Sequence, residues 1–443
     1  MASAAEQLAA NLNFRAFAKA EALKKRIWFT LGALILYRLG TYIPMPGINP
    51  EAFDQAFANL AGGVVGVFNM FAGGAVERMA ILALGIMPYI SASIVMQLAS
   101  SLIPRLEAIK KEGEQGRKII NQYTRYGTVI LAALQAFAIA AGLEAGEGIV
   151  TDPGWFFRFS TVITLTGGTI FLMWLGEQIT ARGVGNGISL IIFAGIVAGF
   201  PSAIAGTLEL GRQGAISTGV IFAILLLGIA IITFIVFVER AQRRLLIQYP
   251  KRQVGNRMFQ GESSHLPLKL NTAGVIPLIF ASALLLLPAT VTGFTTANSP
   301  DWMTTLTAML GPGQPLYMVL YAALIAFFAF FYTAIVFSPT DTADNLKRHG
   351  GFIPGIRPGQ KTAEYIDFVL TRITLVGALY LVVVALVPEF IIAGTGIPFY
   401  LGGTSLLIVV SVTLDTVSQI QGHLLAYQYE GLVKKAKLRG RQR

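Results

Sequence analysis

Apolar residues in this chain come in long continuous runs separated by short polar stretches, not in the one-sided stripes of a soluble helix. Ten runs approach the roughly 20 residues that a helix needs to cross a hydrocarbon core of about 30 Å. They lie at residues 26–43, 76–101, 121–143, 156–176, 186–205, 215–238, 272–293, 315–337, 370–391 and 401–425. Prolines within them, such as Pro88 and Pro277, are tolerated in membrane helices where neighbours satisfy the freed carbonyls. A further apolar stretch, residues 60–75, is too short to span and is bracketed by Gly62-Gly63 and Gly73-Gly74, pairs that permit sharp reversals. It reads as a short helix that enters the membrane and leaves on the same side, or as an interfacial helix lying on the outer surface.

The polar stretches alternate in charge. Of the 34 Lys and Arg, all but Arg38, Arg78, Arg158 and Arg212 fall in residues 1–26, 102–125, 177–185, 239–271, 338–372 and 426–443. Basic loops stay in the cytoplasm, so both termini and these loops are expected there. The expected organisation is a basic arm at 1–25, a first five-helix half at 26–205 and an inter-half loop at 206–214. A second half follows at 215–425, with long cytoplasmic loops at 239–271 and 338–369 and a basic tail at 426–443. Five crossings per half give the halves opposite orientations, so the predicted fold is an all-α membrane protein of ten helices in two inverted halves.

Composition agrees: 54% of residues are hydrophobic and only 13% charged, about half the charged share of a soluble domain. The net charge of +11 follows the topology and by itself does not indicate nucleic-acid binding. The absence of cysteine excludes disulfides and thiolate metal sites. Residues 1–25 carry no small-residue cleavage site before the first run, and read as a surface arm instead of a leader.

Enzyme signatures are missing. His265, His349 and His423 are scattered, and no zinc or nucleophile-elbow motif occurs. Gly359-Gln360-Lys361-Thr362 lacks the Gly-Lys pair of a phosphate loop, and Gly183-Val184-Gly185-Asn186-Gly187 enters a membrane helix and is no dinucleotide fingerprint. No cofactor or metal is expected. Ionisable residues inside the runs are few: Arg38, Glu177, Glu239 and Arg372 sit near helix ends, and Asp415, with Gln419 one turn on, is the main intramembrane acid. A secondary transporter working through Asp415, an intramembrane enzyme and a lipid scaffold are the rival classes. Gln97 and Asn271 read as hydrogen-bonding glue between helices. Ile86 and Ile90, and Ile188 and Ile192, repeat at four-residue spacing, but periodicity cannot choose a face when every face is apolar.

Several motifs resemble the SecY family of protein-conducting channels. They include Phe68-Asn69-Met70-Phe71, Gly85-Ile86-Met87-Pro88-Tyr89-Ile90, Gln122-Tyr123-Thr124-Arg125-Tyr126, Trp174-Leu175-Gly176-Glu177-Gln178 and Gly185-Asn186-Gly187-Ile188-Ser189. His265-Leu266-Pro267-Leu268, Pro354-Gly355-Ile356-Arg357-Pro358-Gly359 and Gly402-Gly403-Thr404-Ser405-Leu406 continue the match. The resemblance implies a non-enzymatic channel in the bacterial cytoplasmic (inner) membrane that passes unfolded polypeptides outward or sideways into lipid. Its pore ring falls on Ile86, Ile90, Ile188, Ile192, Ile279 and Ile408. The segment with Gly62, Gly63, Val64, Val65, Phe68, Asn69, Met70, Phe71, Gly73 and Gly74 becomes a plug, and the second and seventh helices a lateral gate. Implied partners are the SecE and SecG subunits, the SecA motor, the ribosome, signal peptides and nascent chains, and membrane lipids. Arg244, Lys251, Arg252, Arg257 and Arg357 fall on the family's partner-binding loops. Asn256 and Asp341 depart from the family pattern, in which basic residues are common at both places.

Overall fold

The computed structural model describes residues 20–60, 64–146, 148–214, 217–250, 252–254, 257–259, 263–293, 309, 314–395 and 402–440. These form helices α1 (Glu21–Gly40), α2 (Pro50–Leu60), α3 (Val64–Phe71), α4 (Met87–Leu102), α5 (Pro104–Lys111), α6 (Glu114–Ala145), α7 (Trp155–Arg182), α8 (Gly187–Arg212) and α9 (Thr218–Arg240). Strands β1 (Gln242–Gln248), β2 (Arg252–Val254), β3 (Arg257–Phe259) and β4 (Ser263–Lys269) follow, then α10 (Ile276–Gly293), α11 (Pro315–Val336), α12 (Pro339–Arg348), α13 (Gln360–Thr395) and α14 (Gly403–Gly440). Among the described residues, seven helices are long and apolar enough to cross a membrane: α6, α7, α8, α9, α11, α13 and α14. The chain divides into two compact units. One comprises Met1–Ser202, Leu286–Ala308 and Val412–Arg443; the other comprises Ala203–Leu285 and Met309–Ser411.

The run predicted at 76–101 is not one helix. Residues 72–86 are almost entirely turns, and α4 begins only at Met87 with Pro88 in its first turn. At 16 residues, α4 is about 24 Å long, short of the core thickness. Positive φ at Gly73, Gly74, Met79 and Gly85 breaks the helix that hydropathy alone suggests. Backbone of this kind survives at membrane depth only when protein covers it and its polar groups are paired. Both conditions hold: Ala75, Val76, Met79, Ala80, Leu82, Ala83 and Leu84 are buried. Local bonds such as Ala80 N to Ala75 O (2.8 Å) close the turns, while Ile81 N donates to Ile43 O (3.0 Å) and Met45 N to Met79 O (2.9 Å). The α7 backbone comes so near that a Cβ on Gly168 would lie 2.3 Å from the Ile81 carbonyl oxygen.

In the first unit, α6 and α7 pack as an antiparallel pair tied at both ends. Arg125 grips Glu177 through Nε (2.9 Å) and Nη2 (2.7 Å) at one end. Arg158 pairs with the nearly buried Glu144 (2.6 Å) at the other, where Glu144 also accepts from Gly154 N (3.0 Å). The loop 183–187 is pinned by three helices: Val184 N donates to Thr30 Oγ1 (3.0 Å), Gly185 N to Gln419 Oε1 (3.0 Å) and Gly187 N to Thr180 Oγ1 (2.9 Å).

In the second unit the cytoplasmic loops predicted at 239–271 and 338–369 join into one folded module. β1 and β4 pair antiparallel from Gln242↔Lys269 to Gln248↔Ser263, and β2 and β3 extend the hairpin from Arg252↔Phe259 to Val254↔Arg257. Gln248 then exchanges backbone hydrogen bonds with Phe352 of the other loop (2.9 and 3.0 Å). Leu245 and Leu268 on the inner face pack with Ile353, Ile366, Val369 and Ile373. Asp341 sits in the first turn of α12, where the helix dipole favours an acid, and its N–H donates to the Ser338 cap (3.3 Å).

The predicted runs at 121–143 and 370–391 lie within longer helices, and α14 begins at Gly403, two residues into the run predicted at 401–425, and continues through the basic tail as far as Gly440. The amphipathic helix α2 had no counterpart among the predicted elements; its Phe53 and Phe57 stack and are buried.

Candidate functional site

The short apolar stretch between the glycine pairs does form a helix, α3, and its carboxyl end is held firmly. Phe68 and Phe71 are buried. The buried Tyr37 hydroxyl on α1 donates to Ala72 O (3.3 Å), and the neighbouring Arg38 guanidinium donates to Gly73 O. Gly73 has φ +68° and fits where nothing larger would: a Cβ there would meet Tyr37 Oη at 2.8 Å and Gly195 Cα at 3.0 Å. The Asn69 side chain closes the following turn by accepting from Glu77 N (3.0 Å) and donating to Glu77 Oε2 (3.3 Å). Gly62 and Gly63 lie outside the described residues, as do the side chains of Val64 and Val65.

Arg38 also donates to Tyr42 Oη (3.2 Å), while Arg78 stacks over the Tyr42 ring (4.2 Å) and donates to Gly74 O (3.2 Å). Each of the four cations that break the charge alternation therefore has a partner: Arg38 and Arg78 hold the carbonyls after α3, Arg158 binds Glu144, and Arg212 binds Glu209 (3.1 Å). In the sequence Arg38 reads as a helix-end residue; its exception to the charge alternation is the signal of a structural task.

Ile86, Ile90 and Ile192 are buried within the first unit, and Ile188 is half-buried, with its Cγ1 3.1 Å from where a Cβ on Gly176 would stand. Ile279 and Ile408 are buried within the second. Asn271 Nδ2 donates to Glu239 Oε1 of α9 (2.7 Å) and to Gly274 O (3.0 Å), as expected of polar glue, whereas Gln97 donates to Ser93 Oγ (3.3 Å) one turn back on its own helix.

Arg243 on β1 is exposed. Arg244 is exposed opposite Pro267, Arg252 and Arg257 belong to β2 and β3, and Lys251 lies outside the described residues. Arg357 is exposed at the rim of a concavity of about 470 Å³ lined also by Ile356, Lys361, Glu364, Tyr365 and Phe368. Lys361 is paired with Glu364 (2.7 Å), and Arg372 stacks over Phe368 (3.9 Å). The Arg357 carbonyl is fixed by Thr362 Oγ1 (3.0 Å), which aims its backbone while leaving the guanidinium outward. Among the described residues no cluster of His, Asp or Glu could hold a metal ion.

The SecY family model matches residues 80–417, well over half of the chain. The chain is 54% identical over 422 residues to protein translocase subunit SecY of Escherichia coli K12, covering 94% of this chain and 95% of that one. The chain belongs to the SecY family.

Other SecY relatives are equally near. Identity is 54% over 416 residues with the Pseudomonas aeruginosa subunit (94% of each chain) and 53% over 424 residues with that of Rickettsia conorii (94% and 97%). Among solved structures, one described as a protein-conducting channel aligns at a TM-score of 0.60 and 18% identity, over 90% of this chain and 92% of that one. Sec61 from a canine ribosome–channel complex aligns at a TM-score of 0.56 and 17% identity, over 90% and 92%. At such identities these likenesses speak for the fold, and the SecY family membership rests on the relatives.

Proposed function

We propose that this chain is the channel-forming subunit of a protein translocase, passing unfolded secretory polypeptides across the membrane and releasing membrane segments sideways into lipid. The observation that carries this reading is the 54% identity to translocase subunits along 94% of the chain. The finer reading has ten crossings in two inverted halves, with α1, α4 and α10 added to the seven long helices, and both termini in the cytoplasm of a bacterial inner membrane. The charge alternation supports it. In this reading α3 is the plug and the six isoleucines at 86, 90, 188, 192, 279 and 408 form the ring. Branched apolar side chains at a constriction repel water and ions yet bind a passing chain weakly. Helices α4 and α10 flank the lateral exit. SecE and SecG complete the membrane complex, and signal peptides and lipid meet the chain at that exit.

The hairpin and the Arg357 concavity form the docking face for the SecA motor or a ribosome. The exposed Arg244 and Arg357 suit acidic protein surfaces and RNA phosphates alike. The ribosome complex of the Sec61 neighbour supports that partner class. Neither the motor nor any energy-converting site lies in this chain's sequence motifs.

The direct test is site-specific photocross-linking to an arrested secretory chain in membranes holding the complete translocase. Probes at Ile86, Ile192 and Ile408 are expected to capture the passenger, while probes at Leu226 on the exposed face of α9 do not. A passenger that never reaches the isoleucines would overturn the reading.

A further inference from the structure

The acid Asp415 lies on α14, inside the membrane-crossing stretch Gly403–Tyr427. It is twelve residues beyond Gly403, about 18 Å along the axis, and therefore within the apolar layer and toward its cytoplasmic side. Its side chain is exposed and has no hydrogen-bond or ion-pair partner among the described residues. The adjacent polar residues behave differently. Gln419 is occupied by Gly185 N (3.0 Å), and Thr416 returns its hydroxyl to Val412 O (2.7 Å). Asp415 is thus left out of the contacts that hold this helix.

Its place on the helix face is informative. Ile408, Ser411, Asp415 and Ser418 recur at spacings of three, four and three, which aligns them along one side. Ser411 is buried and its hydroxyl lacks any partner among the described residues. One face of α14 therefore starts at an apolar ring residue and turns polar toward the cytoplasm, with an orphan hydroxyl followed by an unpaired carboxylate. A carboxylate at this depth facing lipid is costly, so such acids face water or a cation. Ser418, a turn further along the same side, is exposed as well.

We propose that Asp415 stands in the water on the cytoplasmic approach to the constriction and selects for positive charge, drawing small cations and Lys or Arg side chains of the passenger toward the pore. The proposal rests on the reading of Ile408 as a ring residue. A fixed charge in a narrow wet passage raises the local concentration of its counter-ions, which acts on both ions and a moving chain.

The test uses the complete translocase in lipid vesicles, with Asp415→Asn, Asp415→Lys and Asp415→Glu. The first arm measures transport of two passengers that differ only in a Lys-rich or a Gln-rich segment. The rate ratio of Lys-rich to Gln-rich passenger is expected to fall about threefold or more in Asp415→Asn, to fall further in Asp415→Lys, and to persist in Asp415→Glu. The second arm reads the reversal potential in a KCl gradient, with the same variants in an Ile408→Ser leak background. Asp415→Lys is expected to invert the preference for K⁺ over Cl⁻. Unchanged passenger ratios and reversal potentials overturn the proposal. If Asp415→Asn alters neither but lowers the melting temperature of the complex, the carboxylate is instead paired with a basic residue of a partner subunit, and the proposal fails. Absence of leak in Ile408→Ser refutes the ring assignment, and the passenger ratio then judges Asp415 alone.

Discussion

Two regions of this molecule are held together in different ways. Residues 72–86 are turns buried among apolar neighbours, and the module of β1–β4 with 338–369 carries the basic stretches. The first is held by close backbone contact and by side chains that reach carbonyls: Tyr37, Arg38 and Arg78 cap Ala72, Gly73 and Gly74, and Gly168 lets α7 touch the turn at Ile81. The second is held by an apolar underside, Leu245 and Leu268 on Ile353, Ile366 and Val369, with charges left outside. The contrast follows from what each solvent offers. Lipid gives no drive to bury apolar groups but punishes any unpaired N–H or C=O, so polar satisfaction and fit decide there. Water satisfies exposed polar groups, so burial decides in the module.

That contrast breaks most sharply at the glycines. Gly168→Val forces a Cβ into the Ile81 carbonyl and is expected to cost about 3 kcal/mol or more, read as loss of folded protein and of the melting transition in detergent. A wild-type melting curve would mean that the turn does not lie against α7. In the water-facing module, Leu245→Ala is expected to cost about 2–4 kcal/mol. It should act locally, speeding proteolysis within 239–271 while the membrane helices keep their melting temperature. Global unfolding instead would show that the two regions are one cooperative system.

Smaller effects sharpen the picture. Arg158→Ala leaves the nearly buried Glu144 without its cation, and about 1–2 kcal/mol is expected because Arg158 itself is partly wet. Glu144→Gln with Arg158→Ala together should recover part of that loss in a double-mutant cycle. Tyr37→Phe removes one hydrogen bond to Ala72 O, worth about 1 kcal/mol. Its sharper readout is hydrogen exchange at the amides of 69–74, which should quicken while those of α6 do not. Equal exchange in both proteins would show that Tyr37 does not hold the end of α3.

Much of the architecture is legible in the sequence. Long apolar runs and charge alternation marked the spans, because hydropathy and loop charge answer directly to the bilayer. The glycine pairs marked α3, since only they could bracket so short an apolar piece. Harder to see was the break at 72–86. Met79 to Ile86 reads as apolar as any helix, and what stops it is the positive φ at Gly73, Gly74, Met79 and Gly85 together with α1 and α7 supplying cover and partners. The union of the two long basic loops was also invisible, because the pairing of Gln248 with Phe352 joins residues more than a hundred positions apart.

Sequence alone determined which stretches seek lipid, which side the charges favour and, through its motifs, the family, because these depend on side-chain chemistry read one segment at a time. Tertiary structure alone decided where irregular backbone is allowed in an apolar layer and which of the scattered cations are spent on holding it. Pairing a carbonyl with a guanidinium from another helix is a matter of distance in space, and distance in space is not written along the chain.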